Sequence, residues 1–528
     1  MVTHPGTRLH AAVLHLTLAS VAIASLTLAG CFRVKRSSLV ALDEQKPQVV
    51  ESPVRAFLAD GSVVLFPEGA VVSEDAIQGR GEHYDLLRRP VGPARTVPLD
   101  SVLGLEAFKE DTNVGLSLAL SAGATVAAVV AGVAIACAAD PKCFGSCPTV
   151  YSVDAHGERL EAEAFSYSIS PLLEARDTDL LSVAANGGRV ALEIRNEALE
   201  THYINHLELV EVRHPAHTRV VTDPDNVPFL VGTLRPLARV VDRDGRDVGA
   251  ELADRDRHVF ASSAHRVSRA GRGEERDWIE ATLPPIDADT AALVLRLRNS
   301  LLNTVLFYEL MLNAQGARAL DWMARDIERI GNAVELGSWF HRTMGLRLEV
   351  ESDDGFQEVT RFGDTGPIAW KEMAFRVPVR PDRSTRVRLS FLADEWRIDE
   401  LRWSADVRPA SSVRTLPVGS ITPLGGAVHD DLEGRIAAAD DEYLVTSAGT
   451  GFEVVFDVGD EPDDGRRTFL LSTQGYYTEW IRPVWIRGTS VREPFRPSET
   501  TVPALMARWQ EVQGPMEAAF HATRIPVR

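Results

Sequence analysis

Cysteine is scarce, with four residues in 528. That is too few to staple a chain of this size, so a disulfide scaffold is excluded and hydrophobic burial must hold the fold. Positive charge is also short: Lys and Arg total 56 against 75 Asp and Glu, for a net charge of -19. No basic face gathers along the chain, which excludes a nucleic-acid partner. Familiar catalytic signatures are missing as well. There is no Gly-x-Ser-x-Gly elbow, no His-Glu-x-x-His pair, no phosphate-binding Gly-Lys-Ser/Thr loop and no dinucleotide fingerprint, so no cofactor is implied. Tandem repeats are absent too. What is present is an ordinary globular composition, 45% hydrophobic and 25% charged. Its length exceeds what one core usually serves, which implies about three domains.

The first thirty residues read as an export signal. Arg8 precedes an uncharged run from Ala11 to Leu28, and the segment ends Leu28-Ala29-Gly30-Cys31, an order expected of a signal peptide rather than a transmembrane anchor. Those last four residues resemble a lipobox, the processing site of bacterial lipoproteins. The resemblance implies cleavage before Cys31, diacylglycerol on its thiol and acylation of the new amino terminus. Several chains of this kind give a stable membrane anchor where a single one is marginal. In that class an aspartate after the cysteine retains the protein at the inner membrane, so Phe32 favours the outer membrane of the cell envelope. Residues 31–53, polar and charged at Arg33, Lys35, Arg36, Asp43 and Glu44, read as a tether.

Residues 54–110 are expected to form a small β-barrel-like domain. Two apolar runs, Val54 to Leu58 and Val63 to Phe66, flank the turn signal Asp60-Gly61, and further strand-like pieces end at Val102 to Phe108. An apolar helix is expected over residues 114–139, 26 residues without a charge. Within it Gly115, Ala119, Gly123, Ala127 and Ala131 recur every fourth residue, a stripe that permits close helix approach. Two readings stay open: insertion into a membrane or self-association through the stripe, and a helix buried in protein.

Beyond Pro148 apolar and polar residues alternate. Val190-Ala191-Leu192-Glu193-Ile194, Leu346-Arg347-Leu348-Glu349-Val350 and Val387-Arg388-Leu389-Ser390-Phe391 each read as a half-buried strand, with Asp353-Asp354-Gly355 as a turn. Helical periodicity is confined to about Ala317 to Ile330 and Val502 to Thr523. The expected fold is therefore mainly β. It comprises the small barrel-like domain, the apolar helix, antiparallel β-sandwich domains over residues 147–334 and 335–480, and a C-terminal helical tail over 481–528.

Cys147-Pro148-Thr149-Val150-Tyr151-Ser152, Asn196-Glu197, Glu200-Thr201-His202-Tyr203 and His214-Pro215 together resemble a block found in uncharacterised β-rich bacterial envelope proteins. Trp396-Arg397-Ile398-Asp399 and Gly475-Tyr476-Tyr477 extend the likeness. The resemblance implies a secreted or surface-anchored β-module and carries no activity.

Three constellations bear on chemistry. Cys143 and Cys147 are close enough to bridge if Gly145 lets the backbone turn, as an oxidising compartment favours. Thiols are the alternative; a metal set with Cys137 and His156 lacks the paired spacing of zinc sites. Asp457, Asp460 and Asp463 offer oxygens to calcium, but their spacing misses the EF-hand loop, and a solvated hairpin loop between Phe452 to Phe456 and Thr468 to Leu471 is the simpler reading. Trp396, Trp403, Tyr476, Tyr477, Trp480 and Trp485 would make a carbohydrate platform if exposed, or core if buried. Asp399 and Glu400 sit on one strand and face opposite sides, which prevents them from flanking one glycosidic bond. The function expected is thus a non-catalytic envelope lipoprotein that binds or organises an envelope partner or a second copy of itself. Its alternatives are a secreted hydrolase of envelope glycan or peptide and a carbohydrate binder without turnover.

Overall fold

The computed structural model describes residues 47–86, 88–109, 147–154, 157–256, 258–424, 432–460, 465–488 and 493–522. Its architecture is mainly β, in several antiparallel sheets with few helices. Cys31, the 114–139 segment with its stripe from Gly115 to Ala131, Cys137, Cys143, His156 and Asp463 lie outside the described residues.

The N-terminal sheet has seven strands. Val54–Leu58 pairs with Val63–Phe66 across the expected turn, where Gly61 takes φ 83° and Asp60 accepts from the Ser62 amide at 2.9 Å. Strand pairing follows an open path from Gln48–Val50 to Val102–Ala107, with Pro90–Pro98 added on Ala76–Tyr84. The end of the stretch read as a tether therefore belongs to the fold. Gln48–Val50 pairs with Ala70–Val72, and the amide and hydroxyl of Ser52 donate to Asp321 at 3.0 and 2.7 Å.

Two sandwiches follow, one nested in the other. The outer one faces a sheet of Gly157–Glu163, Thr149–Asp154, Arg189–Arg195, Gly451–Asp457 and Ser420–Pro423 against a sheet built on Glu200–His214 and Arg466–Glu479. Alternate residues of both sheets, among them Val190, Leu192, Ile194, Leu207, Leu209 and Leu471, fill the core between them. The inner one packs Thr290–Asn299, Lys371–Pro378 and Trp396–Ser404 against Arg276–Leu283, Leu346–Ser352 and Thr385–Leu392. Leu293, Leu295 and Leu297, period two on one strand, are fully buried in it; each such side chain contributes about 1.5–3 kcal/mol. Arg219–Thr222, Pro228–Val231 and Val407–Pro409 form a small three-stranded sheet where the chain passes between the sandwiches and returns.

The sheets therefore do not divide at 334/335, where serial domains were expected. Residues 235–404 interrupt the outer sandwich, whose late strands pair with its early ones: Arg189 to Arg195 lies against Asp457 to Gly451. The loop after Gly451–Asp457 is likewise not a hairpin. That strand pairs with Arg189–Arg195, whereas Arg466–Glu479 pairs with Glu200–His214, so the chain crosses from one sheet to the other there.

A helical layer covers the junction. Leu302–Thr304 continues into the π-helical stretch Val305–Leu312, a second wide turn spans Trp322–Asp326, and Ile330–Met344 closes the group. Thr501–Ala522 packs on it through Leu505, Met506 and Trp509. Helix was expected only up to Ile330. Gly331 and Gly337 and the exposed Ile330 and Val334 conceal the periodicity of the next fifteen residues, Ile330–Met344.

Candidate functional site

The segment Gly363 to Trp370 connects two inner-sandwich strands, Gly355–Phe362 and Lys371–Pro378, and is pinned to the outer sandwich by carboxylates. Glu163, the last residue of Gly157–Glu163, accepts from the amides of Ile368 and Ala369 at 2.6 and 2.8 Å. Gly366 permits that approach: it takes φ 80°, and a Cβ there would lie 2.7 Å from the Glu163 Oε2. Next to it, Asp364 is buried and accepts from Ser166 Oγ at 2.9 Å and from Asn303 Nδ2 at 2.8 Å. Both donors are neutral, and among the described residues no cation lies within ion-pair distance of Asp364. Burial, reinforced by the charges of Glu163 and Asp177, pushes its carboxyl up to about 6.

A second knot joins the sandwiches. Asp177 and Asp179, two apart on Ala175–Leu180 and so on one face, both hold the Lys371 ammonium, at 2.7 and 2.9 Å. Two carboxylates share one cation. Burial and the neighbouring Asp177 charge push the Asp179 carboxyl up, and the two carboxylates hold Lys371 above the ordinary lysine range. Thr178 N–H and Lys371 both bond Oδ1 of Asp177, which leaves its Oδ2 without a donor among the described residues.

Asp177 and Asp364 line one cavity of about 670 Å³, enclosed by the outer sandwich, the inner sandwich, the helical layer and the loop at Pro224 to Asn226. Its buried depth is formed by those carboxylates with Leu306, Tyr308, Met311, Leu336 and Phe362. Exposed Asp225, His341 and Glu358 mark the mouth. Arg361, also at the mouth, is occupied by Glu358 at 2.7 Å and by the His341 carbonyl at 3.1 Å. An apolar wall facing buried carboxylates accommodates a molecule with a hydrocarbon part and a polar end.

Sequence reasoning pointed elsewhere. All six aromatics of the expected platform are buried, so no carbohydrate platform forms from them. Trp396 and Trp403 sit in the inner core, Tyr476 stacks on Tyr203 at 4.5 Å and Trp480 on Phe57 at 3.7 Å. Of the six, Tyr477 lines the cavity, donating to the Ser166 carbonyl at 3.0 Å. Cys147 is buried, with its sulfur 3.7 Å from Glu163 Oε1 and its amide donating to Glu200 at 2.8 Å. Asp457 is exposed and pairs with Arg189 at 3.2 Å. Among the described residues no group of three or more His, Cys, Asp or Glu is arranged to hold a metal. Asp399 pairs with Arg296, while Glu400 meets Arg255 at 2.8 Å and Arg402 at 3.0 Å. Asp177, Asp364 and Lys371 were missed. The available signals were an Asp-x-Asp pair inside a short strand and an aspartate in the turn-rich run Gly363-Asp364-Thr365-Gly366-Pro367.

Among the described residues no helix is long and apolar enough to cross a membrane. No protein-family model matches this chain, and no curated protein matches it. Among solved structures, it is similar to a GH31 alpha-xylosidase from Xanthomonas citri, with 12% identity over 80% of this chain and a TM-score of 0.14. It spans only 38% of that enzyme's chain. It is also similar to infectious bursal disease virus Gt strain, with 10% identity over 72% of this chain and 83% of that one, again at a TM-score of 0.14. At those scores neither likeness bears on fold or chemistry.

Proposed function

We propose that this chain is an envelope lipoprotein, anchored through lipid on Cys31, whose folded part binds a small, partly apolar ligand without transforming it. The observation that carries the reading is the cavity of about 670 Å³, apolar on its helical wall and acidic in its depth. Its size falls within the roughly 300–1,000 Å³ range of small-molecule sites. The lipobox supports the anchor, and an anchored binder needs no catalytic motif. Native mass spectrometry of protein extracted from its own membrane fraction tests the reading. The wild type should carry a non-covalent mass beyond its acyl chains, and Leu336→Trp, which fills the cavity, should lose it. An identical mass in both would refute the proposal.

One observation favours a hydrolase as the second reading: Asp177 and Asp364 line the same cavity, as an acid and base acting on a glycan would. Binding remains the better supported, because the Asp177 charge is already engaged by Lys371. Sustained release of products from envelope glycan, abolished in Asp364→Asn, would establish the hydrolase instead.

A further inference from the structure

Building on the proposed binding role of the cavity, we propose that its ligand is a cationic amphiphile: an ammonium group seated against Asp364 and Asp177, with a hydrocarbon or aromatic body along the helical wall.

The charge inventory of the depth leads there. Asp177 and Asp179 share the single ammonium of Lys371, and Asp364 is held among the described residues by neutral donors, the Ser166 hydroxyl, the Asn303 amide and the Thr365 backbone N–H. A buried carboxylate ordinarily has a cationic partner or is strongly disfavoured. Among the described residues Asp364, which lines the cavity, has none, and Asp177, which lines the same cavity, has an oxygen, Oδ2, without a donor. Two acceptors thus look into one space with room for a third group. An ammonium supplies both missing features, a positive charge and several N–H donors, in a single group.

The walls exclude the other ligand classes. An anion would enter against Asp177 and Asp364, and the guanidinium at the mouth, Arg361, is already bound to Glu358 and to the His341 carbonyl. A neutral sugar needs hydroxyl partners around its whole ring, whereas the helical side offers Leu306, Phe307, Met311, Leu336 and Phe340. Phe307 stands edge-on to Tyr477, with ring centroids 6.3 Å apart, and 5.7 Å from Tyr308. Such a wall accepts an apolar body and adds ring faces that attract a cation.

Three matched probes test this: 2-phenylethylammonium, 2-phenylethanol and 3-phenylpropanoate, titrated calorimetrically at pH 7.5 into the full-length protein in lipid nanodiscs, with empty nanodiscs subtracted. The ammonium should bind about ten- to a hundredfold more tightly than the alcohol, as expected when a charged hydrogen bond is gained, and the carboxylate should bind most weakly. Asp364→Asn should erase the advantage of the ammonium over the alcohol. Alcohol and ammonium binding equally to the wild type would overturn the cationic assignment while the binding role stands. An advantage undiminished in a folded Asp364→Asn would overturn the role of Asp364. No heat from any probe, together with no co-extracted ligand, would overturn both. The wild-type comparison needs no variant to fold.

Discussion

Replacing Asp364 by Asn should make the ligand-free protein more stable at neutral pH, although it alters a buried, hydrogen-bonded residue. Asn is the neutral isostere of the protonated acid. Its carbonyl keeps the bond from Asn303, and its amide can donate to Ser166 Oγ, since a hydroxyl accepts as readily as it donates. What disappears is the cost of a buried charge. Burial pushes the Asp364 carboxyl up to about 6 in the fold, from the ordinary aspartate value of about 3.9 in the unfolded chain. Between those values the native state binds the proton more tightly, so wild-type stability falls as pH rises from 4 to 6. The upward displacement corresponds to at most about 3 kcal/mol at pH 7, most of which is gone at pH 4. Urea unfolding of both proteins at the two pH values checks this. A variant less stable than wild type at pH 7, or an offset equal at both pH values, would refute the claim that the cavity holds an ionised carboxylate against its own stability. Function accounts for keeping such a residue, since binding sites retain groups that the bare fold would discard.

Further predictions concern the joints around the cavity. Lys371→Met leaves Asp177 and Asp179 buried together without their cation and should lower stability by about 3–5 kcal/mol at pH 7 by denaturant titration, and by less at pH 4, where Asp179, whose carboxyl burial already pushes up, is protonated. Gly366→Ala combines a positive φ with a Cβ 2.7 Å from Glu163 Oε2; it should cost upwards of about 1 kcal/mol, and a neutral result would show that the loop tolerates displacement from Glu163. Trp480→Ala removes the stack on Phe57 at 3.7 Å and should destabilise by about 3–5 kcal/mol. Unfolding of the N-terminal sheet, followed by far-ultraviolet circular dichroism, should begin at lower denaturant.

Local order was legible because it is written in neighbouring residues. The Asp60-Gly61 and Asp353-Asp354-Gly355 hairpins form where turn residues interrupt alternating runs. Leu192 and Leu389 point inward from strands whose neighbouring residues Glu193 and Arg388 lie closer to solvent. Nesting was not legible, since Arg189 meets Asp457 from 268 positions away in the chain, and alternation says that a strand exists without naming its partner. The cavity was hidden for the same reason. Ser166 and Asn303 reach Asp364 from 198 and 61 positions away, so no local motif records their meeting. The aromatic residues illustrate the converse: Trp396, Trp403 and Trp480 are prominent in the sequence because they are large, and that same size places them in cores.

The central claim is that the space between Asp364, Asp177 and the helical wall is built to be occupied. A crystal structure of protein purified from its own membranes, never unfolded and never exposed to added amines, tests it most directly. Continuous non-protein density running from the Asp364 carboxylate along Phe307 and Phe340 is the predicted result; a cavity filled with ordered water alone, in protein shown to carry its acyl chains, would contradict it.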